Sequence, residues 1–136
     1  MSTHAAIIQA TPEGGYRGIY LHWDGYPRHA GRILKEHYAS DEAVTALINL
    51  GDLSSLGSDP EMTTAYHRDF GETKRIRGST DLKNVADRID WDFLYLWEGG
   101  EWTTFRSEAE LHDELAQRLA WEVERAERAA GWDPNP

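Results

Sequence analysis

The chain has 136 residues, a formal net charge of −10 and a pI near 4.9. This negative charge argues against non-specific attraction to nucleic acid or to an anionic membrane, and it favours basic partners. It contains no cysteine, which excludes a disulfide scaffold, a thiol nucleophile and cysteine-bound zinc. No apolar run approaches the roughly 20 residues of a membrane span and the first ten residues lack a signal-peptide pattern, so we expect a cytoplasmic protein.

The first predicted element is a β-hairpin. A short apolar strand over Ala5–Ala10 is followed by a glycine-rich turn that is too short for a crossover helix, and the second strand ends at Trp23. Asp24 and Gly25 break that strand, because glycine permits backbone angles closed to other residues. Pro27 then suits the first turn of a helix.

Two short helices are predicted next. Apolar residues at helical spacing predict one over 30–38, and the second begins at the cap Ser40 and ends at Gly51. Residues 52–61 lack periodicity and predict a loop, after which 63–68 predict a strand.

The remaining elements complete a second hairpin and a long helix. Residues 74–77 predict a short return strand, and Thr80 is the predicted cap of the next helix. Strands over 93–97 and 102–105 flank a Gly-Gly pair, which is typical of a primed hairpin turn. Residues 107–131 then predict one amphipathic helix.

These elements predict an α+β fold. We expect an antiparallel sheet built from hairpins, with helices packed on one face and the long helix 107–131 at the C-terminus. The sequence has no internal repeat and no low-complexity linker, so the prediction is a single domain spanning 1–136.

Two clusters of aromatic, histidine and charged residues predict a ligand site. One surrounds His22 at the strand-to-helix corner, and the other surrounds Arg68 in the predicted strand 63–68. Aromatic faces stack on planar rings, and an arginine can donate two parallel hydrogen bonds to a phosphate. Together these side chains suit a small nucleotide-like ligand. The predicted ligand-binding residues are Tyr20, His22, Trp23, Asp24, Tyr26, Tyr66, His67, Arg68 and Asp69.

The same residues leave two alternatives open. His22 with Asp24, and His67 with Asp69, place an imidazole and a carboxylate two residues apart, on one face of a strand. If the two pairs met, they would form a metal site or the acid–base centre of a hydrolase. The other alternative is a structural or interaction protein without a ligand site. The sequence lacks a nucleophile elbow and a phosphate-binding loop, so it identifies no catalytic residue, predicts no cofactor and favours a binding protein over an enzyme.

The C-terminal helix offers a different kind of surface. Its carboxylates outnumber its cations, which is typical of a solvated face but also suits docking on a basic host protein. The predicted partner-binding residues are Trp121, Glu122 and Glu124, and a homo-oligomer is left open.

Three motifs carry a resemblance to a known family. They are His22-Trp23-Asp24-Gly25-Tyr26-Pro27, then Gly51-Asp52-Leu53-Ser54-Ser55-Leu56-Gly57, then Ala65-Tyr66-His67-Arg68-Asp69 before Gly71-Glu72. Within residues 7–105 the chain resembles a family of small uncharacterised phage and prophage proteins. The resemblance implies a mobile-element setting and a shared site, and it implies no reaction. We therefore expect an accessory protein that inhibits a host defence system, either by capturing a small nucleotide-like ligand or by occluding a basic protein surface.

Overall fold

The protein divides into two compact units between Arg106 and Ser107. The computed structural model describes residues 2–131. The first unit is a seven-stranded sheet with helices, and the second contains one long helix. The predicted α+β class is confirmed.

The sheet is mixed rather than wholly antiparallel. The two predicted hairpins are antiparallel: β1 (Ala5–Ala10) pairs with β2 (Tyr16–Leu21), and β6 (Phe93–Glu98) pairs with β7 (Glu101–Phe105). However, β1 also pairs with β6 in parallel, and β2 pairs with β3 (Leu53–Ser55) in parallel. The wholly antiparallel prediction is wrong because helices connect these two pairs, and a helical crossover brings a strand back in the same direction. The order is β4-β3-β2-β1-β6-β7, and β5 pairs with β2. The strands are β1 Ala5–Ala10, β2 Tyr16–Leu21, β3 Leu53–Ser55, β4 Thr64–Ala65, β5 Arg77–Ser79, β6 Phe93–Glu98 and β7 Glu101–Phe105.

The helices begin and end largely where the capping signals predict. Ser40 Oγ accepts a hydrogen bond of 3.1 Å from the Ala43 N–H at the start of α2, and Gly51 follows that helix at φ +76°. Ser107 caps α5 in the same manner, with a 3.2 Å bond from the Glu110 N–H. The helical elements are a π-helical turn over Pro27–Gly31, α1 Arg32–His37, α2 Asp41–Ile48, α3 Tyr66–Phe70, α4 Leu82–Asp87 and α5 Glu108–Ala129.

Helices cover both faces of the sheet, so the prediction of a single covered face is wrong. On one face, buried residues of α1 and α2 pack with Ile7 and Ile19 in the main core. On the other, α4 lies so close to the sheet that a Cβ on Gly18 would stand 2.7 Å from Val85 Cγ1 and 3.1 Å from Ile8 Cγ1. Only a glycine at this position lets α4 reach the strand.

Four predicted boundaries are wrong around the middle of the chain. The predicted loop 52–61 contains strand β3, and the predicted strand 63–68 keeps only two strand residues before the helix α3 begins. Asp69 stabilises that helix, because its Oδ2 accepts a 2.8 Å bond from the Ala65 N–H. Further on, the cap of α4 is Asp81 rather than Thr80, with a 3.0 Å bond from the Lys83 N–H. The predicted return strand 74–77 is shifted to β5, which overlaps it only at its first residue.

The second unit is the single helix α5. Glu114 and Glu124 each pair with an arginine one turn later, Arg118 at 3.0 Å and Arg128 at 2.6 Å, as expected for charges at i, i+4 spacing. Within residues 2–131, no helix combines the length and the apolar composition needed to cross a membrane.

Candidate functional site

Three rings meet on the sheet face that carries Tyr20. His4 immediately precedes β1 and His22 immediately follows β2, and the antiparallel register Ala5↔Leu21 brings these two histidines side by side. Their ring centroids lie 4.9 Å apart with the planes stacked at 26°, and Tyr20 meets His4 edge-on at 5.3 Å. We call His4, Tyr20 and His22 the ring cluster.

Polar contacts fix the ring cluster. The Tyr20 hydroxyl lies 2.7 Å from His22 Nδ1, and His4 Nδ1 lies 3.0 Å from Asp90 Oδ2. The His4 backbone N–H donates to Asp92 Oδ2 at 2.8 Å. Burial, reinforced by the charge of Asp90, raises the pKa of Tyr20 to about 12. Tyr20 therefore keeps its proton at neutral pH, and besides its contact with His22 the hydroxyl oxygen has a lone pair for a further hydrogen bond.

Ser2, His4 and Asp90 have the connectivity of a nucleophilic triad, but the carboxylate is poorly suited to that role. Ser2 Oγ lies 2.9 Å from His4 Nε2, and Asp90 bonds the other ring nitrogen. In such triads the carboxylate is buried and holds the imidazole in one orientation. The Asp90 side chain is 82% exposed, so water competes for its bond to His4. The arrangement does not favour nucleophilic catalysis.

A cleft of about 220 Å³ opens on the other side of Tyr20, and we call it the tyrosine–arginine cleft. It is lined by Tyr20, Asp52, Tyr66, Glu72, Thr73 and Arg75. These residues come from β2, α3 and the loops after α2 and α3.

Asp52 holds the two tyrosines of this cleft in place. Its Oδ1 accepts a 2.9 Å bond from the Tyr20 N–H, and its backbone carbonyl accepts a 3.1 Å bond from the Tyr66 N–H. The same carboxylate pairs with Arg77, and both side chains are only 11% exposed. One acidic residue thus anchors the strand and the helix that supply the aromatic walls.

Arg75 supplies the cleft with a cation. Its guanidinium makes no hydrogen bond or ion pair to any residue in the described range 2–131. Arg75 also lines an adjoining groove with Lys74, Arg77 and Arg88. Four of the 14 lysines and arginines of this acidic chain therefore gather in and beside the cleft. Asp52 neutralises Arg77, and the other three cations, against the single carboxylate of Glu72, favour an anion.

The Arg68 guanidinium, which the sequence predicts to bind phosphate, is instead bonded to its own segment, as are His67 and Asp69. The Arg68 guanidinium donates to the Pro60 carbonyl at 2.8 Å and to the Thr63 carbonyl, and it pairs with Asp69 at 3.0 Å. The hydrogen bond with Arg68 lowers the pKa of Asp69, and the same bond raises the pKa of Arg68. His67 Nδ1 lies 2.7 Å from the Glu72 carbonyl. These three side chains hold their own segment.

The strand-to-helix corner lies mostly outside the cleft. Asp24 adopts φ +57°, and the Gly25 carbonyl accepts a 2.7 Å bond from the Tyr95 hydroxyl. Trp23 is 48% exposed and packs edge-on against His22, whereas Tyr26 is 40% exposed and faces His29 at 6.0 Å. Trp23 thus extends the ring cluster, while Asp24 and Tyr26 do not line the cleft.

The two His-x-Asp pairs do not share the strand geometry that the metal alternative needs. His67 and Asp69 lie on the helix α3, so the prediction that they occupy one face of a strand is wrong. In residues 2–131 no group of three or more histidine, aspartate or glutamate side chains is arranged to hold a metal ion. The candidates His22, Asp24, His67 and Asp69 include no such group.

The structure brings together three of the predicted ligand-binding residues, Tyr20, His22 and Tyr66, with neighbours that the sequence analysis does not name. His4, Asp52 and Arg75 reach the site through strand register and loop packing, which a local pattern does not show. One signal was available: Lys74, Arg75 and Arg77 are three cations within four residues of an acidic chain.

Searches of protein-family models, curated proteins and solved structures found no match to this chain. The function is therefore argued from the geometry of the tyrosine–arginine cleft and the ring cluster.

Proposed function

We propose that this protein binds a small nucleotide-like anion in the tyrosine–arginine cleft. The observation that carries the proposal is the Arg75 guanidinium, which has no partner in residues 2–131 and lines the same cleft as Tyr20 and Tyr66. A guanidinium binds phosphate oxygens through two parallel hydrogen bonds, and an aromatic ring gives a stacking surface for a base.

Each wall of the cleft has a role in this proposal. Arg75, with Lys74 beside it, binds the phosphate, and Tyr66 stacks against the base. Glu72 accepts hydrogen bonds from sugar hydroxyls or from an exocyclic amine, and the Tyr20 hydroxyl oxygen accepts another. His22 and His4 set the position of Tyr20 from behind.

The resemblance to phage and prophage proteins suggests the biological setting. We propose that the protein acts in the host cytoplasm and inhibits a host defence system by capturing a nucleotide-like signal. Capture requires binding without turnover, which agrees with a site that offers stacking and anion contacts and no identified nucleophile.

Calorimetric titration with adenosine monophosphate and with adenosine tests the proposal. Replacing Arg75 with alanine should lower affinity for the nucleotide about five- to tenfold and leave the nucleoside unchanged, because only the nucleotide carries phosphate. Tyr66→Ala should weaken both ligands, because base stacking contributes about 1–3 kcal/mol. Arg32→Ala is the control, since Arg32 is an exposed arginine that does not line the cleft. Equal losses in Arg75→Ala and Arg32→Ala would contradict the proposal.

A second candidate function rests on α5. This helix exposes Trp121 by 55%, Leu119 by 62% and Val123 by 51%, which is unusual for large apolar side chains on a charged helix. With Glu122 and Glu124 beside them, these residues suit an acidic surface that occludes a basic host protein. Binding through this surface should weaken steeply with salt, and reversing Glu122 and Glu124 to lysine should abolish it while Arg75→Ala leaves it intact.

A further inference from the structure

A second cleft lies at the opposite end of β1 and β2 from the tyrosine–arginine cleft. It encloses about 600 Å³ between the β1–β2 turn, the β6–β7 turn and the helix α2. Gln9, Asp41, Thr45 and Glu98 supply its polar side chains, and glycines supply much of both turns. We call it the Gln9 cleft.

The charged side chains that line the Gln9 cleft are all acidic. Among the described residues that line it, two are carboxylates and none is a lysine, arginine or histidine. Asp41 Oδ1 accepts a 2.7 Å bond from Trp97 Nε1, which fixes the carboxylate and leaves Oδ2 for a further donor. Glu98 Oε2 accepts a 3.3 Å bond from the Tyr16 hydroxyl. Both carboxylates are thus held in place by neighbouring side chains.

Gln9 adds an independent indication of a ligand. The residue is only 5% exposed, and its Nε2 donates to Thr45 Oγ1 at 2.8 Å. No group in residues 2–131 donates a hydrogen bond to the other amide atom, Oε1. Every fully buried side-chain polar atom in that range has a hydrogen-bond partner. Since Oε1 has no partner, it is not fully buried, and the open space that Gln9 lines is the cleft. An acceptor at the cleft wall that has no protein donor takes its hydrogen bond from water or from a ligand in the cleft.

We propose that the Gln9 cleft binds a cationic group, a guanidinium or a primary ammonium. Such groups carry several N–H donors and no acceptor, which complements Gln9 Oε1 and the two carboxylates. A Cβ added at Gly14, Gly99 or Gly100 would meet no atom within 4 Å, so a chain bearing the cation has room to lie across these glycines. The cation belongs either to a small amine or to an arginine or lysine of a basic protein.

Nuclear magnetic resonance titration of the full chain tests this proposal with defined probes. The cationic probes are agmatine and the peptide acetyl-Gly-Arg-Gly-amide, and the neutral control is the same peptide with citrulline in place of arginine. We expect both cationic probes to shift the backbone amides of Gly14 and Gly99, and the citrulline peptide to leave them unchanged. Tighter binding of agmatine would identify a small amine as the ligand, and tighter binding of the peptide would identify a protein side chain.

Matched variants test which groups hold the cation. Asp41→Asn keeps the acceptor for Trp97 and should weaken both cationic probes about three- to fivefold. Glu42→Gln removes the same charge one residue later, outside the cleft, and should have no effect. Glu98→Gln is a second variant of the site, with Glu101→Gln as its hairpin control, and circular dichroism confirms that each variant is folded. Binding of the citrulline peptide as tight as that of the arginine peptide, or equal losses in Asp41→Asn and Glu42→Gln, would overturn the proposal.

Discussion

Asp52→Ala should be among the most damaging single polar substitutions in the sheet unit. It removes the acceptor for the Tyr20 N–H and leaves Arg77 without its carboxylate, and the side chains of Asp52 and Arg77 are each only 11% exposed. Breaking a fully buried ion pair costs about 3–5 kcal/mol, and partial solvation lowers that figure. Adding the lost backbone bond, we expect a loss of about 3 kcal/mol, equivalent to roughly 10 °C in melting temperature for a chain of this size.

Urea unfolding followed by circular dichroism measures this loss. Asp52→Asn keeps an oxygen acceptor for the Tyr20 N–H and loses only the charge, so it should cost about half as much as Asp52→Ala. The control is Asp87→Ala, because Asp87 and Lys83 form an exposed pair with side chains 55% and 58% exposed, worth less than about 0.5 kcal/mol. Equal destabilisation by Asp52→Ala and Asp87→Ala would refute the role of Asp52 as the anchor of the cleft.

Three further predictions follow from the same contacts. Gly18→Ala should destabilise the protein by about 1–3 kcal/mol in the same unfolding assay, because the added Cβ would stand 2.7 Å from Val85 Cγ1. Gly78→Ala is its control and should cost less than about 1 kcal/mol, because a Cβ at Gly78 would meet its nearest atom, the Tyr16 carbonyl oxygen, at 3.8 Å. Burial raises the pKa of Tyr20, Tyr38 and Tyr95, so ultraviolet titration should find three phenols that ionise late, and Tyr20→Phe should remove the one with a pKa of about 12. Since the folded pKa of Tyr20 lies above the ordinary 10.0, the stability that this phenol contributes should be fully present below pH 10 and lost as pH rises towards 12. Arg68→Ala should lower the melting temperature and leave affinity for adenosine monophosphate unchanged, because Arg68 holds the backbone of its own loop. A loss of affinity without a loss of stability would show that Arg68 binds the phosphate after all.

Local signals were sufficient for the elements with strong periodicity or caps. The Ser40 cap, the Gly99-Gly100 turn and the long helix from 107 are all readable from a few neighbouring residues. The α+β class follows from these elements.

Elements stabilised by distant contacts were not readable in this manner. Strand β3 has three residues, and it is a strand because Leu53 pairs with Leu21 on one side and Ala65 on the other. Helix α3 has no buried residue to give it an apolar period, and Asp69 bonds back to its first turn. The parallel pairing of β1 with β6 joins segments almost 90 residues apart, so only the folded chain reveals it.

The site was predicted in part for the same reason. Tyr20, His22 and Tyr66 stand in motifs dense in aromatic and polar residues, and composition alone drew attention to them. The sequence predicts Arg68 as the phosphate-binding cation because a guanidinium stands there among aromatic and polar residues, but the hydrogen bonds of Arg68 are made to nearby carbonyls of its own segment. Arg75 reaches the cleft from the loop after α3, and no local pattern distinguishes a free guanidinium from a paired one.

The central claim is that a nucleotide-like anion binds in the tyrosine–arginine cleft. Its most direct test is a nuclear magnetic resonance titration of the full chain with adenosine monophosphate, following every backbone amide. The largest shifts should fall at Tyr66, Thr73 and Arg75, and they should vanish in Arg75→Ala while persisting in Arg32→Ala. Shifts concentrated on Trp121 and its neighbours in α5, or no saturable shift at millimolar nucleotide, would contradict the claim.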